Sequence, residues 1–410
     1  MVFLLFVVAL LDRVNIGFAA LTMNRELAVT SQQYGLIFGI FFFGYFFFEI
    51  PSNLLLHKIG ARVWIARILV SWGIVAMLTG FVHTIHQLYI LRFLLGLAEA
   101  GYFPGITLYL TYWFPQREQA RALALLMAAI PVTTILGAPV SGLILDHVHW
   151  VGVSSWRWLL ILEGLPALVC GVFTYFLLPG RPQEARFLTA EEKECIRAHL
   201  ECEEQQKLEQ HRYSVLQALE SRRVWHLVLI YFGMTMGNYT LQSWAPQLVK
   251  SLSSFYSNSI IGFLVTIPNL VGLAAMIIVS RSSDRKLERR YHVAIPAIVA
   301  ALALVLLGAT RSPFYSVALL SFLAAGLYSS FGPFWALPSE FLTGYSAAAG
   351  IALINSVGNL GGFAGPYMIG TIATRTGNFY AGLAVAGAAL FISATLGLLL
   401  PRKARPRSKG

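Results

Sequence analysis

MVFLLFVVALLDRVNIGFAALTM, residues 1–23, is the stretch on which the fold turns. As a helix it is roughly 34 Å long, about the thickness of bilayer hydrocarbon. Its only charges, Asp12 and Arg13, stand in the middle. QLYILRFLLGLAEAGYFPGITLYL, residues 87–110, repeats the pattern with Arg92 and Glu99 as its only charges. A charge at the centre of a membrane helix costs roughly 2.5–3.5 kcal/mol on insertion scales, so it faces a partner or a water-filled path. Two bases and two acids form a set that can neutralise itself, or can hold an anion and a proton.

Geometry narrows the pairing. Arg92 and Glu99 are seven residues apart, so they leave one helix face about 10 Å from each other and cannot meet directly. Asp12 and Arg13 are neighbours and diverge by about 100°. Each stretch therefore needs the other, and the economical solution crosses over: Asp12 with Arg92, Arg13 with Glu99. A guanidinium matches a carboxylate with two parallel hydrogen bonds, so a substrate carboxylate can take the place of the protein's own.

Composition fits a membrane chain. Hydrophobic residues make up 57% and charged residues 12% of 410 residues, with mean hydropathy +0.67; soluble domains carry about 25% charged residues. Cys170, Cys195 and Cys202 suit neither a disulfide framework nor a zinc or redox motif. No His/Cys cluster implies a metal, and no cofactor is expected. The first apolar run lacks a small-residue cleavage site and reads as a retained span. Its scant flank before Asp12 allows a start further upstream.

Apolar runs lie at roughly 1–23, 34–56, 64–83, 87–112, 121–146 and 156–178, and again at 224–246, 258–280, 291–309, 314–337, 345–373 and 378–400. The expected organisation is an N-terminal six-helix bundle (1–178), a cytoplasmic linker with a short amphipathic helix (179–223), a C-terminal six-helix bundle (224–400) and a basic cytoplasmic tail (401–410). The linker holds eight Lys/Arg and nine Glu, and Thr189 with Glu192 forms a capping box. Segments after even-numbered spans carry 23 of the 30 basic residues, those after odd-numbered spans five. The positive-inside rule thus places the even loops and both termini in the cytoplasm. This accounts for the net charge of +11 without nucleic acid. LLLHKIGARVW (54–64) and SRSSDRKLERR (280–290) occupy the same place in each half, a weak internal repeat.

Twelve spans as six plus six, with basic loops after spans 2 and 8, resemble the major facilitator superfamily. Asp284-Arg285 keeps that superfamily's loop pattern; in the first copy His57-Lys58 replace Asp-Arg while Gly60 and Arg62 remain. LLDRVNIGFAALTMNREL (10–27), FFFGYFFFEIPSNLLLHKIGARVWIARI (41–68), LRFLLGLAEAGYFPGITLYLTYWFPQREQARA (91–122) and SSWRWLLILEGLPAL (154–168) resemble its anion:cation symporter branch, in particular bacterial tartrate, phthalate and hydroxyphenylacetate permeases. The resemblance implies an all-α polytopic major facilitator fold of 12 transmembrane helices working by alternating access in a bacterial cytoplasmic membrane. It places Asp12, Arg13, Arg92 and Glu99 in the family's charged set, Tyr45 in its anion site and Asn359 at its substrate face. MAAIPVTTILG (127–137) lacks the amide expected of sugar-acid carriers, which weakens a long polyol acid as substrate.

The expected function is secondary active transport, proton-coupled uptake of a small organic anion such as a tartrate-like dicarboxylate, an aromatic acid or a sugar acid, by a monomer. Asp12 and Glu99 would handle protons; Arg13, Tyr45, Arg92, Asn355, Asn359, Trp335, Tyr239 and Gln242 would face substrate. Glu49, Arg62, Glu163, Asp284 and Arg285 read as gating or structural residues, and Trp113, Trp156 and Trp158 as interface anchors. An organic-anion uniporter or exchanger is the nearest alternative, and the mid-span acids speak against it. An enzyme or receptor is the different-class alternative, and no nucleophile–base set or large extramembrane domain supports it.

Overall fold

The fold, a computed structural model, describes residues 1–209, 220–253, 255–310, 312–338 and 344–400. The later linker (210–219) and the basic tail (401–410) lie outside them, as does Arg311. The described residues contain no β-strand. Their α-helices are, in the first half, α1 (Val2–Glu26), α2 (Ser31–Ile59), α3 (Ala61–Thr79), α4 (Ile85–Glu99), α5 (Tyr102–Thr111), α6 (Gln116–Met127), α7 (Ala129–His147) and α8 (Ser155–Leu177). After the linker helix α9 (Ala190–Glu209) come α10 (Arg222–Leu252), α11 (Asn258–Lys286), α12 (Arg290–Leu307), α13 (Pro313–Ala336), α14 (Gly344–Asn359), α15 (Gly361–Thr376) and α16 (Tyr380–Leu398).

Three of the twelve apolar runs are each two helices, and prolines explain two of the breaks. The carbonyls of Ala100 and Met127 would accept from the N–H of residues 104 and 131, both Pro and lacking one. Span 4 therefore divides into α4 and α5, and span 5 into α6 and α7. Span 11 divides at Leu360, before Gly361 and Gly362. Ten spans are long and apolar enough to cross a bilayer. The other two are α10, which carries a polar cluster, and the α14–α15 pair, whose two helices have 16 residues each. Large apolar side chains face outward along the spans, among them Phe47, Ile50, Phe173, Ile278 and Phe322, as lipid contact requires.

Packing repeats between the halves. Span 3 packs on span 6 (α3 on α8) as span 9 does on span 12 (α12 on α16); α2 packs on α4 as α11 does on α13; and α1 touches α7 and α8 as α10 touches α14–α15 and α16. The weak sequence repeat is thus accompanied by a repeat of these helix neighbours. The halves meet through α1 with α10, α2 with α15, and α7 with α11, the last two again equivalent.

That junction is tight where the odd-numbered loops lie, termed here the odd-loop side. Tyr34 Oη donates to the Ser243 carbonyl at 2.8 Å, and the Gln32 amide to Thr374 Oγ1 at 2.9 Å. Asp146 at the end of α7 caps α11: its Oδ1 accepts from the amide and side chain of Asn258 (3.1 and 2.8 Å), its Oδ2 from the amide and hydroxyl of Ser259 (both 2.7 Å). A carboxylate at a helix N-terminus is favoured by both free N–H groups and the helix dipole.

In the linker, Thr189 and Glu192 make the expected reciprocal cap. Half-buried Lys193, Ile196 and Leu200 form a narrow stripe along α9.

Candidate functional site

Arg13 and Asp12 sit halfway along α1, and the break in span 4 sets where Glu99 stands. Glu99 is the last residue of α4. Ala100 leaves the helix at φ −54°, ψ 134°, and Gly101 takes the left-handed region at φ 84°. The Ala100 carbonyl, deprived of residue 104 as donor, accepts from Ser52 Oγ at 2.6 Å, and Trp64 Nε1 donates to that hydroxyl at 2.9 Å. A Cβ at Gly101 would stand 2.1 Å from Ser52 Oγ, so conformation and space both demand glycine. Nearby, α2 and α4 touch backbone to backbone: a Cβ on Gly96 would come 2.0 Å from the Phe41 carbonyl oxygen.

The charges cross over as their spacing predicts. Arg13 Nη2 donates to Glu99 Oε1, and Arg13 Nη1 donates to Tyr239 Oη at 2.8 Å. Arg92 Nη1 lies 3.8 Å from Asp12 Oδ2, a looser pair, and Arg92 Nε donates to the Ile37 carbonyl at 3.3 Å. Asp12, Arg92 and Glu99 are each 3% exposed. Phe41 lies under both guanidiniums, 5.4 Å from Arg13 and 5.3 Å from Arg92, so one ring face serves each cation's attraction to π density.

A cavity of about 60 Å³ opens at the first pair. That is far below the roughly 300–1,000 Å³ of a small-molecule site, so a multi-carbon anion needs its walls to part. Arg13, Glu99, Tyr45, Tyr239, Gln242, Asn355 and Asn359 line it. Arg13 Nε, Glu99 Oε2, Tyr102 Oη and Gln242 Oε1 are buried without a hydrogen-bond partner among the described residues. Such atoms are costly unless something polar meets them.

Other expected residues lie elsewhere. Asp12 and Arg92 are not on the cavity wall; their pair stands behind it. Trp335 also misses the wall and packs 4.9 Å from the Tyr231 ring and 6.4 Å from Phe103, both of which do line it. Glu49, 1% exposed, accepts from Asn355 Nδ2 at 2.8 Å and from Ser356 Oγ, which joins α2 to α14. Glu163 accepts from Ser141 Oγ at 2.7 Å, within the first half. Arg62 reaches Glu184 at 3.7 Å on the surface. Asp284 pairs with Arg289 at 2.5 Å rather than with its exposed neighbour Arg285, because adjacent helical side chains diverge. Trp156 corrects the anchor reading: it is fully buried, and its Nε1 donates to Glu26 Oε2 at 2.7 Å beside the Arg157–Glu26 pair.

Among the wall and support residues that the sequence reading did not name are Phe41, Tyr102, Tyr231 and Asn238. Asn238 was within reach, as part of the polar cluster GNYTLQ (237–242) in an apolar span. Phe41 was not, since nothing separates it from its neighbours in FFFGYFFF.

Comparison with known proteins agrees with this architecture. The sequence model of the Major Facilitator Superfamily matches residues 2–366. A candidate tartrate transporter of Agrobacterium vitis is 46% identical over 401 residues, spanning 98% of this chain and 89% of that protein. A quinolone resistance transporter of Acinetobacter baumannii is 40% identical over 380 residues, 93% of this chain and 87% of that one. The inward-facing crystal structure of a bacterial homologue of the human lysosomal transporter Spinster superposes with TM-score 0.76 over 97% of this chain and 95% of its own, at 16% identity, a likeness of fold alone. Twelve spans in two repeating sets of six, joined around a buried charged cavity and matched by that model over most of its length, place this chain in the major facilitator superfamily.

Proposed function

We propose that the protein is a proton-coupled symporter that takes up a small organic anion across the bacterial cytoplasmic membrane. The observation that carries this reading is Arg13: one guanidinium holds a protein carboxylate, Glu99, and a phenol, Tyr239, on the wall of a cavity. Protonation of Glu99 releases the guanidinium edge, and a substrate carboxylate takes it in the same bidentate geometry. Tyr45 and Tyr239 add hydroxyl donors, and the amides of Asn355, Asn359, Asn238 and Gln242 offer hydroxyl partners on the opposite wall. Asp12 and Arg92 stay paired behind, so the site keeps its charge balance while Glu99 and the substrate exchange places.

Residues 1–178 and 224–400 act as the two rocking bodies, joined by the cytoplasmic linker 179–223 and working as a monomer. With the even loops and termini in the cytoplasm, the tight odd-loop junction closes the outer side. The names of the relatives divide between tartrate and a drug. The aromatic walls, Phe6, Phe42, Tyr45, Tyr102 and Phe103 among them, give the second reading its support: an aromatic acid in place of a tartrate-like dicarboxylate.

A ligand that binds only the folded state raises its stability, so thermal-shift titration with tartrate, phthalate, galactonate and aromatic acids tests the site. The expected result is stabilisation by one class that is lost in Arg13→Lys. Equal stabilisation of that variant removes Arg13 from the anion site.

A further inference from the structure

Two carboxylates tie the halves together, and they differ in kind. Asp146, at the odd-loop side, receives two backbone N–H groups at a helix N-terminus and is built to stay ionised. Glu49 lies about one turn beyond Tyr45 on α2, towards the other side of the cavity, and receives only an amide and a hydroxyl from α14. Among the described residues no ion pair includes it. The titratable groups facing it are phenols, Tyr45 on its own helix and Tyr231 on α10, whose ordinary titration lies near pH 10. Asn355 and Ser356 on α14 are neutral.

The same asparagine ties Glu49 to the cavity. Asn359 Nδ2 donates to Asn355 Oδ1 at 3.1 Å, and Asn355 Nδ2 donates to Glu49. Both asparagines line the cavity wall. A group seated against Asn359 thus shares a hydrogen-bond chain with a contact that bridges the halves.

We propose that Glu49 is a second proton-bearing residue of the carrier, a positioning group that closes the even-loop side of the cavity through Asn355 and Ser356. The inference rests on the carrier reading and deepens it. A buried carboxylate with no cation beside it is held at least cost as the neutral acid. Closing the even-loop side dries Glu49 and binds a proton; opening it admits water and releases that proton. Closure is therefore favoured at low pH and lost as pH rises, with a dependence of at most tenfold per pH unit for one proton. Ser356 and Asn355 donate to Glu49 across the closed junction, to the ionised form more strongly than to the neutral one, so removing either weakens closure at every pH and shifts the transition to lower pH.

The test needs no transported substrate, so its failure leaves the anion-site reading standing. In protein with the three native cysteines replaced, Ile130→Cys on the cavity wall reports access to a thiol reagent supplied from the even-loop side. Each rate is divided by that of the same cysteine in denatured protein. Between pH 6 and 9 the relative rate is expected to climb at least tenfold, to stay low and flat in Glu49→Gln, and to climb at lower pH in Ser356→Ala. A flat profile in the parent protein, or a Glu49→Gln profile that keeps the parent slope, overturns the proposal. If Glu49→Gln fails to fold, Ser356→Ala decides alone: an unmoved midpoint overturns it.

Discussion

At the scale of residues, the outcome depends on which guanidinium touches the cavity. Arg13 and Arg92 look alike in sequence, each mid-span and each with an acid in reach. The structure separates them: Arg13 is on the wall with unmet donor capacity, while Arg92 is sealed behind with Asp12 and the Ile37 carbonyl. Their losses should therefore differ. Arg13→Lys keeps the charge but loses the planar fork, and is expected to weaken anion binding by ~2 kcal/mol or more, about thirtyfold, with little change in melting temperature. Arg92→Ala strands the Asp12 carboxylate in the core and should destabilise the fold by ~3–5 kcal/mol. Titration calorimetry with the binding anion and thermal unfolding of the two variants check this; the opposite pattern would reverse their roles. The crossed pairing was legible because helix spacing leaves each charge no partner on its own helix. The division of labour was not, since it depends on how α1 rotates against α4.

Among the elements, the break between α4 and α5 aims Glu99. Pro104, Ser52, Trp64 and Gly101 cooperate there: the proline removes a donor, the serine supplies one, the tryptophan fixes the serine, and the glycine turns the chain. Gly101→Ala combines a left-handed backbone with a collision and should cost ~1–3 kcal/mol. A melting point unchanged from the parent protein would argue against the break as drawn. The other telling element contact is Asp146 on the N-terminus of α11. Asp146→Ala removes four hydrogen bonds at ~0.5–1.5 kcal/mol each, more where charge assists, and should populate a state open on the odd-loop side. Spin labels at Val151→Cys and Phe255→Cys, both in exposed loops, are expected to show a longer distance in that variant. The sequence announced both prolines. It announced nothing of Asp146, whose partners lie more than a hundred residues away.

For the whole molecule, twelve apolar runs and a polar linker were plain from hydropathy, because lipid imposes its own thickness on every span. The two runs that fall short, α10 and α14–α15, are those that supply polar walls to the cavity, so the weakest spans mark the second half of the site. The internal repeat was faint in two loops and became plain only as helix neighbours, because packing constrains small and large faces rather than residue identities. The orientation rests on basic residues: a membrane-impermeant maleimide added to whole cells should label Val151→Cys and spare Lys58→Cys. Labelling of the second alone would invert the topology and with it the direction of the outer closure.

The central claim is that Glu99 trades Arg13 with the substrate anion by taking up a proton. Its most direct measurement compares the parent protein and Glu99→Gln, reconstituted in vesicles with whichever acid the thermal-shift series identifies, for proton-driven accumulation and for exchange of labelled anion at equal pH. The account predicts that Glu99→Gln keeps exchange and loses accumulation. Accumulation at the parent level in Glu99→Gln would contradict it.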